Sequence, residues 1–134
     1  MIEDGCVNGV GKHVVVGVDD DFRVRESIVR LADSAGYAPL VFGSAEALLE
    51  SGALREAACV ITDVRMPGMD GLELQRRVRA ACPELPVILI SAHVDDQIRR
   101  RALEEGAVDF LYKPFDGEEL LSSIHRALEK RARS

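Results

Sequence analysis

The stretch VVVGVDDDF, Val14 to Phe22, decides the fold. Val14 to Val18 are small and apolar, with the length and composition of a buried strand. Three consecutive aspartates follow: Asp19, Asp20 and Asp21. Like charges so close raise one another's pKa. The cluster therefore costs free energy unless something cationic offsets it.

Outward from this stretch the pattern repeats. Further apolar runs predict strands at Pro39–Phe42, Cys59–Thr62, Val87–Ser91 and Phe110–Tyr112. A helix is predicted after each strand. The first carries Val24, Ile28, Leu31, Ala32 and Ala35 at helical spacing and closes at Gly36. The second starts at the N-cap Ser44 and stops at Gly52. The third carries Leu74 and Val78 and ends before Pro83. The fourth starts at Asp95 or Asp96, carries Ile98 and Ala102, and stops at Gly106. The fifth starts at Asp116, with Glu119 set for a capping box and Leu120, Ile124, Ala127 and Leu128 on its apolar face. Five βα units in succession imply an α/β fold with a parallel five-stranded sheet and helices on both faces. Residues 1–12 are Gly-rich and read as an irregular arm, residues 13–131 as one domain, with no second domain in the chain.

Composition narrows the class. The chain has 134 residues, 47% hydrophobic and 30% charged, with a net charge of -6. That balance is globular and argues against direct nucleic-acid binding, which favours basic faces. No apolar run reaches the ~18 residues of a membrane span, and the N-terminus lacks the pattern of a signal peptide. Cys6, Cys59 and Cys82 have no CxxC spacing, so a reduced, cytoplasmic chain is expected. His13, His93 and His125 are scattered and form no metal motif. The segment GVGK, Gly9 to Lys12, lacks the P-loop's first glycine and its Ser/Thr and precedes the strand, so it reads as arm.

In doubly wound sheets the site lies beyond the carboxyl ends of the strands. Here the first strand ends at Asp19 and Asp20, the third at Asp63, the fourth at Ser91 and the fifth at Lys113. One edge thus gathers three carboxylates, a hydroxyl and an ammonium from distant parts of the chain. Local sequence does not explain that convergence; a shared site does. Mg²⁺ prefers oxygen ligands and needs only one or two carboxylates. It would offset the repulsion, and a carboxylate nucleophile can form an acyl phosphate. By contrast Asp21, Asp95 and Asp96 read as helix caps or solvated charges.

These residues resemble the receiver domain of two-component response regulators. VDDD, ITDVRMPGMDGLEL, VILISAH and FLYKPF carry the likeness, and DVRMPGMDG is its strongest block. The wording is similar to regulators with a helix-turn-helix output. The resemblance implies a flavodoxin-like (βα)5 fold with strand order 2-1-3-4-5. It implies that Asp63 is the phosphoacceptor for a histidine kinase or phosphotransfer protein, and that no other enzymatic activity is present. Mg²⁺ would be held by Asp20, Asp63 and the backbone carbonyl of Arg65, with Asp19 acting indirectly in the acidic pair. Ser91 and Lys113 would bind the phosphoryl oxygens, Lys113 being placed by a cis bond to Pro114. Phe110 would be the switch aromatic, turning inward when Ser91 moves. Pro67-Gly68 and Asp70-Gly71 suit turns in the loop over the site.

Two alternatives differ in chemistry. An aspartate-nucleophile phosphatase would use Asp19 in a DxD motif, but Phe22 and Arg23 follow where Thr or Val belongs, and no substrate cap is present. A pure phosphoryl relay or sink would share the site and lack an output. The fourth helix, fifth strand and fifth helix are expected to form the output face. Arg99, Arg100 and Arg101 lie opposite Asp109, Asp116, Glu118 and Glu119 there, a pattern that suits a phosphorylation-dependent two-fold dimer or a solvated mixed-charge face.

Overall fold

The computed structural model describes residues 11–132. Most of the arm expected over residues 1–12, with Cys6, lies outside them. Five parallel strands, β1 (Val14–Val18), β2 (Ala38–Phe42), β3 (Ala57–Asp63), β4 (Val87–Ser91) and β5 (Asp109–Tyr112), alternate with five helices, α1 (Phe22–Ser34), α2 (Ala45–Ser51), α3 (Gly71–Ala81), α4 (Asp96–Glu104) and α5 (Gly117–Ala132). The sheet order is β2-β1-β3-β4-β5, the flavodoxin-like arrangement. A short 3-10 turn, Ala53–Arg55, leads into β3. β3 starts two residues before the predicted Cys59, because Ala57 already pairs with Val14 of β1.

Strand alternation sorts the core into two layers. Val14, Val16, Val18, Val60, Leu89 and Phe110 face the layer covered by Leu48, Leu74, Val78 and Ala102 of α2, α3 and α4. Val15, Ile61, Ile88, Ile90 and Leu111 face Ile28 and Ala32 of α1 and Leu120, Ile124 and Ala127 of α5. Both faces are apolar, so β1, β3 and β4 are buried at every residue. At Gly17 a Cβ would lie 3.0 Å from two methyl carbons of Ile28, so the glycine lets α1 approach β1 closely.

The helices start as their polar residues predict. Asp21 Oδ1 accepts from Arg23 N at 2.9 Å, Ser44 Oγ from Ala47 N at 3.0 Å, and Asp95 Oδ1 from Gln97 and Ile98 N. At α5 the capping box forms: Asp116 N donates to Glu119 Oε1 at 3.1 Å, and Glu118 N donates to Asp116 Oδ1 at 3.1 Å. Asp70 is more than a turn residue: it is the N-cap of α3, accepting from Glu73 N at 2.9 Å. The far end of α4 is fastened to α3. Gln75 Nε2 donates to Ala102 O at 3.0 Å, Arg79 donates to Glu105 O, and Arg76 pairs with Glu105 at 3.2 Å.

Candidate functional site

The carboxyl edge of the sheet brings Asp19, Asp20 and Asp63 together, with one carboxylate oxygen from each within 4.8 Å of the others. β1 and β3 are adjacent strands in register, Val18 against Thr62, so the residues that follow each meet at the same level. Asp19 is fully buried and Asp63 nearly so, while Asp20 is exposed. Asp19 Oδ1 accepts from Asp21 N at 2.8 Å. Asp19 Oδ2 faces Lys113 Nζ at 2.8 Å, without a well-aligned hydrogen bond. Lys113 Nζ also lies 3.5 Å from Asp63 Oδ2. The ammonium thus bridges two of three crowded carboxylates.

The electrostatics follow from this crowding. Burial, then the neighbouring Asp19 charge, pushes the Asp63 pKa up, against the opposing pull of Lys113. Burial works against the Lys113 charge, but Asp19 and Asp63 outweigh it and raise its pKa. One ammonium leaves the cluster with net negative charge and a buried Asp19 oxygen lacking an aligned donor. All the donors are hard oxygens, the set Mg²⁺ favours. The residues present therefore fit that ion.

The other expected residues take definite places. Ser91 ends β4, buried, with its Oγ donating to His93 O and accepting from His93 N, both at 3.1 Å. Lys113 N donates to Ser91 O at 2.8 Å, which ties the two residues together through the backbone. The Lys113-Pro114 bond is cis. Arg65 is exposed in the segment after β3. Phe110 is only 5% exposed and packs edge-on against Tyr112, ring centroids 5.5 Å apart. In this conformation the ring is already inside. On the expected output face, Asp109 is engaged within its own chain by Ser123 Oγ at 2.6 Å and by Arg126.

Residues that sequence reasoning passed over also shape the site. Arg25, on α1, donates to the Asp19 carbonyl at 2.8 Å. At Gly71 a Cβ would lie 3.0 Å from the Asp63 carbonyl carbon and inside contact distance of its oxygen, so only glycine lets α3 start there. The Asp70-Gly71 pair is the available signal, and in the sequence alone it suits only a turn.

The family model for the response regulator receiver domain matches residues 15–125. The chain belongs to that family. It is 39% identical over 118 residues to the transcriptional regulatory protein FixJ of Bradyrhizobium diazoefficiens, covering 88% of this chain and 57% of FixJ. It is 41% identical over 114 residues to the C4-dicarboxylate transport transcriptional regulatory protein DctD of Rhizobium meliloti, covering 85% of this chain and 25% of DctD. This receiver domain therefore spans a quarter to somewhat over half of these relatives. Its backbone is similar to the crystal structure of FixJ-N, with a TM-score of 0.78, 36% identity and coverage of 87% and 93% of the two chains. It is also similar to a BeF3-activated DrrB receiver domain, with a TM-score of 0.80, 30% identity and coverage of 87% and 97%. The family works in two-component phosphorelay signalling and implies a histidine kinase as partner. Among the described residues no helix is long and apolar enough to cross a membrane.

Proposed function

We propose that this receiver is a phosphorylation switch in which Asp63 takes a phosphoryl group from the phosphohistidine of a histidine kinase or phosphotransfer protein. The observation that carries the reading is the position of Lys113 Nζ, 2.8 Å from Asp19 and 3.5 Å from Asp63 inside a three-carboxylate cluster. An Asp63 carboxylate oxygen attacks phosphorus while the phosphorus–nitrogen bond breaks, and the electron pair leaves with the imidazole. The product is an acyl phosphate on Asp63. Lys113 stabilises charge on the phosphoryl oxygens, and the Ser91 hydroxyl, released from the His93 backbone, binds one of them. Asp20, Asp63 and the Arg65 carbonyl would hold Mg²⁺, with Asp19 supporting the site from behind. Bound there, the ion would neutralise charge on the transferring oxygens.

Asp19 is a poor nucleophile in this setting. It is wholly buried, with one oxygen on a backbone N–H and the other against the ammonium. That supports the receiver reading over a phosphatase with a DxD nucleophile. Readout by α4, β5 and α5, through a second copy of the chain or through a partner protein, is supported by Ser91 at the end of β4 and Lys113 just past β5, on the strands that flank α4 in the chain. The domain we assign to this role is 13–131.

The test is chemical trapping. The protein is treated with acetyl phosphate and Mg²⁺, and the acyl phosphate is reduced with labelled borohydride. Label is expected at residue 63 and absent in Asp63→Asn. Label on Asp19, or label retained in the variant, would refute the assignment.

A further inference from the structure

We propose that Glu46, on α2, is a positioning residue for the phosphorylation site, holding the backbone segment that follows Asp63 and carries the Arg65 carbonyl. The inference rests on the function proposed above. It starts from an accounting of backbone hydrogen bonds. Residues 65–69 belong to no helix or strand. Flanking them, Val64 N donates to Ile90 O at 2.9 Å and Gly71 N to Val64 O at 2.8 Å, so both ends are fixed. Within the segment, among the described residues, one backbone hydrogen bond is made: Met69 N donates to Glu46 Oε2 at 2.8 Å.

Three further features fit that contact. Glu46 lies in the first turn of α2, just past the end of β2, on the same sheet edge as the acidic cluster. Gly68 has φ +78°, and a Cβ there would stand 2.6 Å from the same Oε2. Glycine is needed both for that backbone and for the close approach of the carboxylate. The Met69 N–H, followed by the residue's own N–H, holds the Glu46 pKa below the ordinary carboxylate range. The carboxylate is thus kept ionised and acceptor-only, as a charge-assisted backbone bond requires. Glu46 touches neither the acceptor nor the phosphoryl group. Its effect on the site passes through the Met69 amide and the four residues between it and Val64.

Outer-shell groups that orient metal ligands typically cost about 10-fold in affinity when removed. Glu46→Ala and Gly68→Ala are compared with Glu46→Gln, whose amide oxygen can still accept from Met69 N. Three readouts are followed: amide hydrogen exchange at Met69, Mg²⁺ titration by amide shifts in the unphosphorylated protein, and acetyl phosphate labelling of Asp63 against Mg²⁺. Glu46→Ala and Gly68→Ala should speed Met69 exchange and raise the half-saturating Mg²⁺ about 10-fold, with Glu46→Gln within about 2-fold of wild type. Labelling at saturating Mg²⁺ should fall far less than labelling at limiting Mg²⁺. Unchanged Mg²⁺ half-saturation in Glu46→Ala overturns the inference, as does an equal shift in the Gln and Ala variants. If wild type binds Mg²⁺ but takes no label at Asp63, the functional reading fails instead, and the titrations still decide the role of Glu46.

Discussion

Replacing Lys113 with methionine removes the charge and keeps most of the side chain's length. With an effective dielectric of about 20, unit charges at 2.8 Å and 3.5 Å attract by about 6 and 5 kcal/mol. Desolvation of the ammonium cancels part of this, and 18% of its side chain remains exposed. Removing one partner of a buried pair costs about 3–5 kcal/mol, and the residual exposure places Lys113→Met near the lower figure. In EDTA at pH 7, with a urea slope of about 2 kcal/mol per molar, the midpoint should fall by about 1.5 M. The loss should shrink in saturating Mg²⁺, since without the competing ammonium the variant's acidic cluster binds the cation more tightly and gains more from it. The pKa of Lys113 is raised above 10.5. Its contribution is therefore present below that value and lost as pH rises through the folded pKa. Asp19→Asn removes the charge that the ammonium compensates, so the double variant should recover at least about 1.5 kcal/mol relative to additivity. Additive losses within about 0.5 kcal/mol would show that the pair is not coupled and would refute the electrostatic account of the site.

Other expectations follow from the same geometry. Gly71→Ala forces a methyl against the Asp63 carbonyl, and urea unfolding should show a loss of about 2–3 kcal/mol together with slower labelling of Asp63. Asp63→Asn should raise the urea midpoint of the metal-free protein at pH 7 and not at pH 3. The folded pKa of Asp63 is raised, so its ionised form costs stability above the unfolded value and the cost vanishes once both states are protonated. Ser91→Ala should keep phosphate acceptance within about tenfold, since nucleophile and metal ligands remain, but lose the phosphorylation-induced change in aromatic signals of Phe110 and Tyr112. The Cys59 thiol is fully buried and its pKa is pushed up to about 12. A thiol reagent at pH 8 should modify Cys82 in the native protein and reach Cys59 only on unfolding.

The sequence made most of this legible because its signals are local. Strand-length apolar runs, glycine stops, and Ser or Asp caps each act within a few residues, and Ser44, Asp95 and Asp116 sit where their side chains bond their own helices. The gathering of Asp19, Asp20, Asp63, Ser91 and Lys113 follows from parallel strands, since all five end a strand or directly follow one on the same edge. What stayed hidden depends on packing between distant segments. Glu46 and Met69 are joined across 23 residues, and Gln75 and Ala102 across 27, with no pattern to announce either bond. Asp109 looked like a free surface acid; only the approach of α5 to β5 gives it Ser123 and Arg126 as partners. Hydroxyl orientation at Ser91 and the depth of Phe110 are likewise conformational facts rather than compositional ones.

The fastening of α4 to α3 has a mechanical consequence. Gln75 and Arg79 hold carbonyls at the C-terminal end of α4, and Arg76 holds the Glu105 side chain there. At the N-terminal end, beside Ser91, no side chain from another element bonds residues 94–99 among the described residues, and Val94 is 80% exposed. A rod hydrogen-bonded to its neighbour at one end, and held toward the other only by the packing of Ile98 on the core, can pivot as a lever. Nine residues at 1.5 Å rise make it about 13 Å long, so a 1 Å displacement near Ser91 tilts it by about 4°. The shift is largest at the end nearest the acidic cluster and dies away toward the anchor. Arg99 and Arg100, midway along, would swing by roughly half the input, carrying charge across the surface without any change in the sheet beneath.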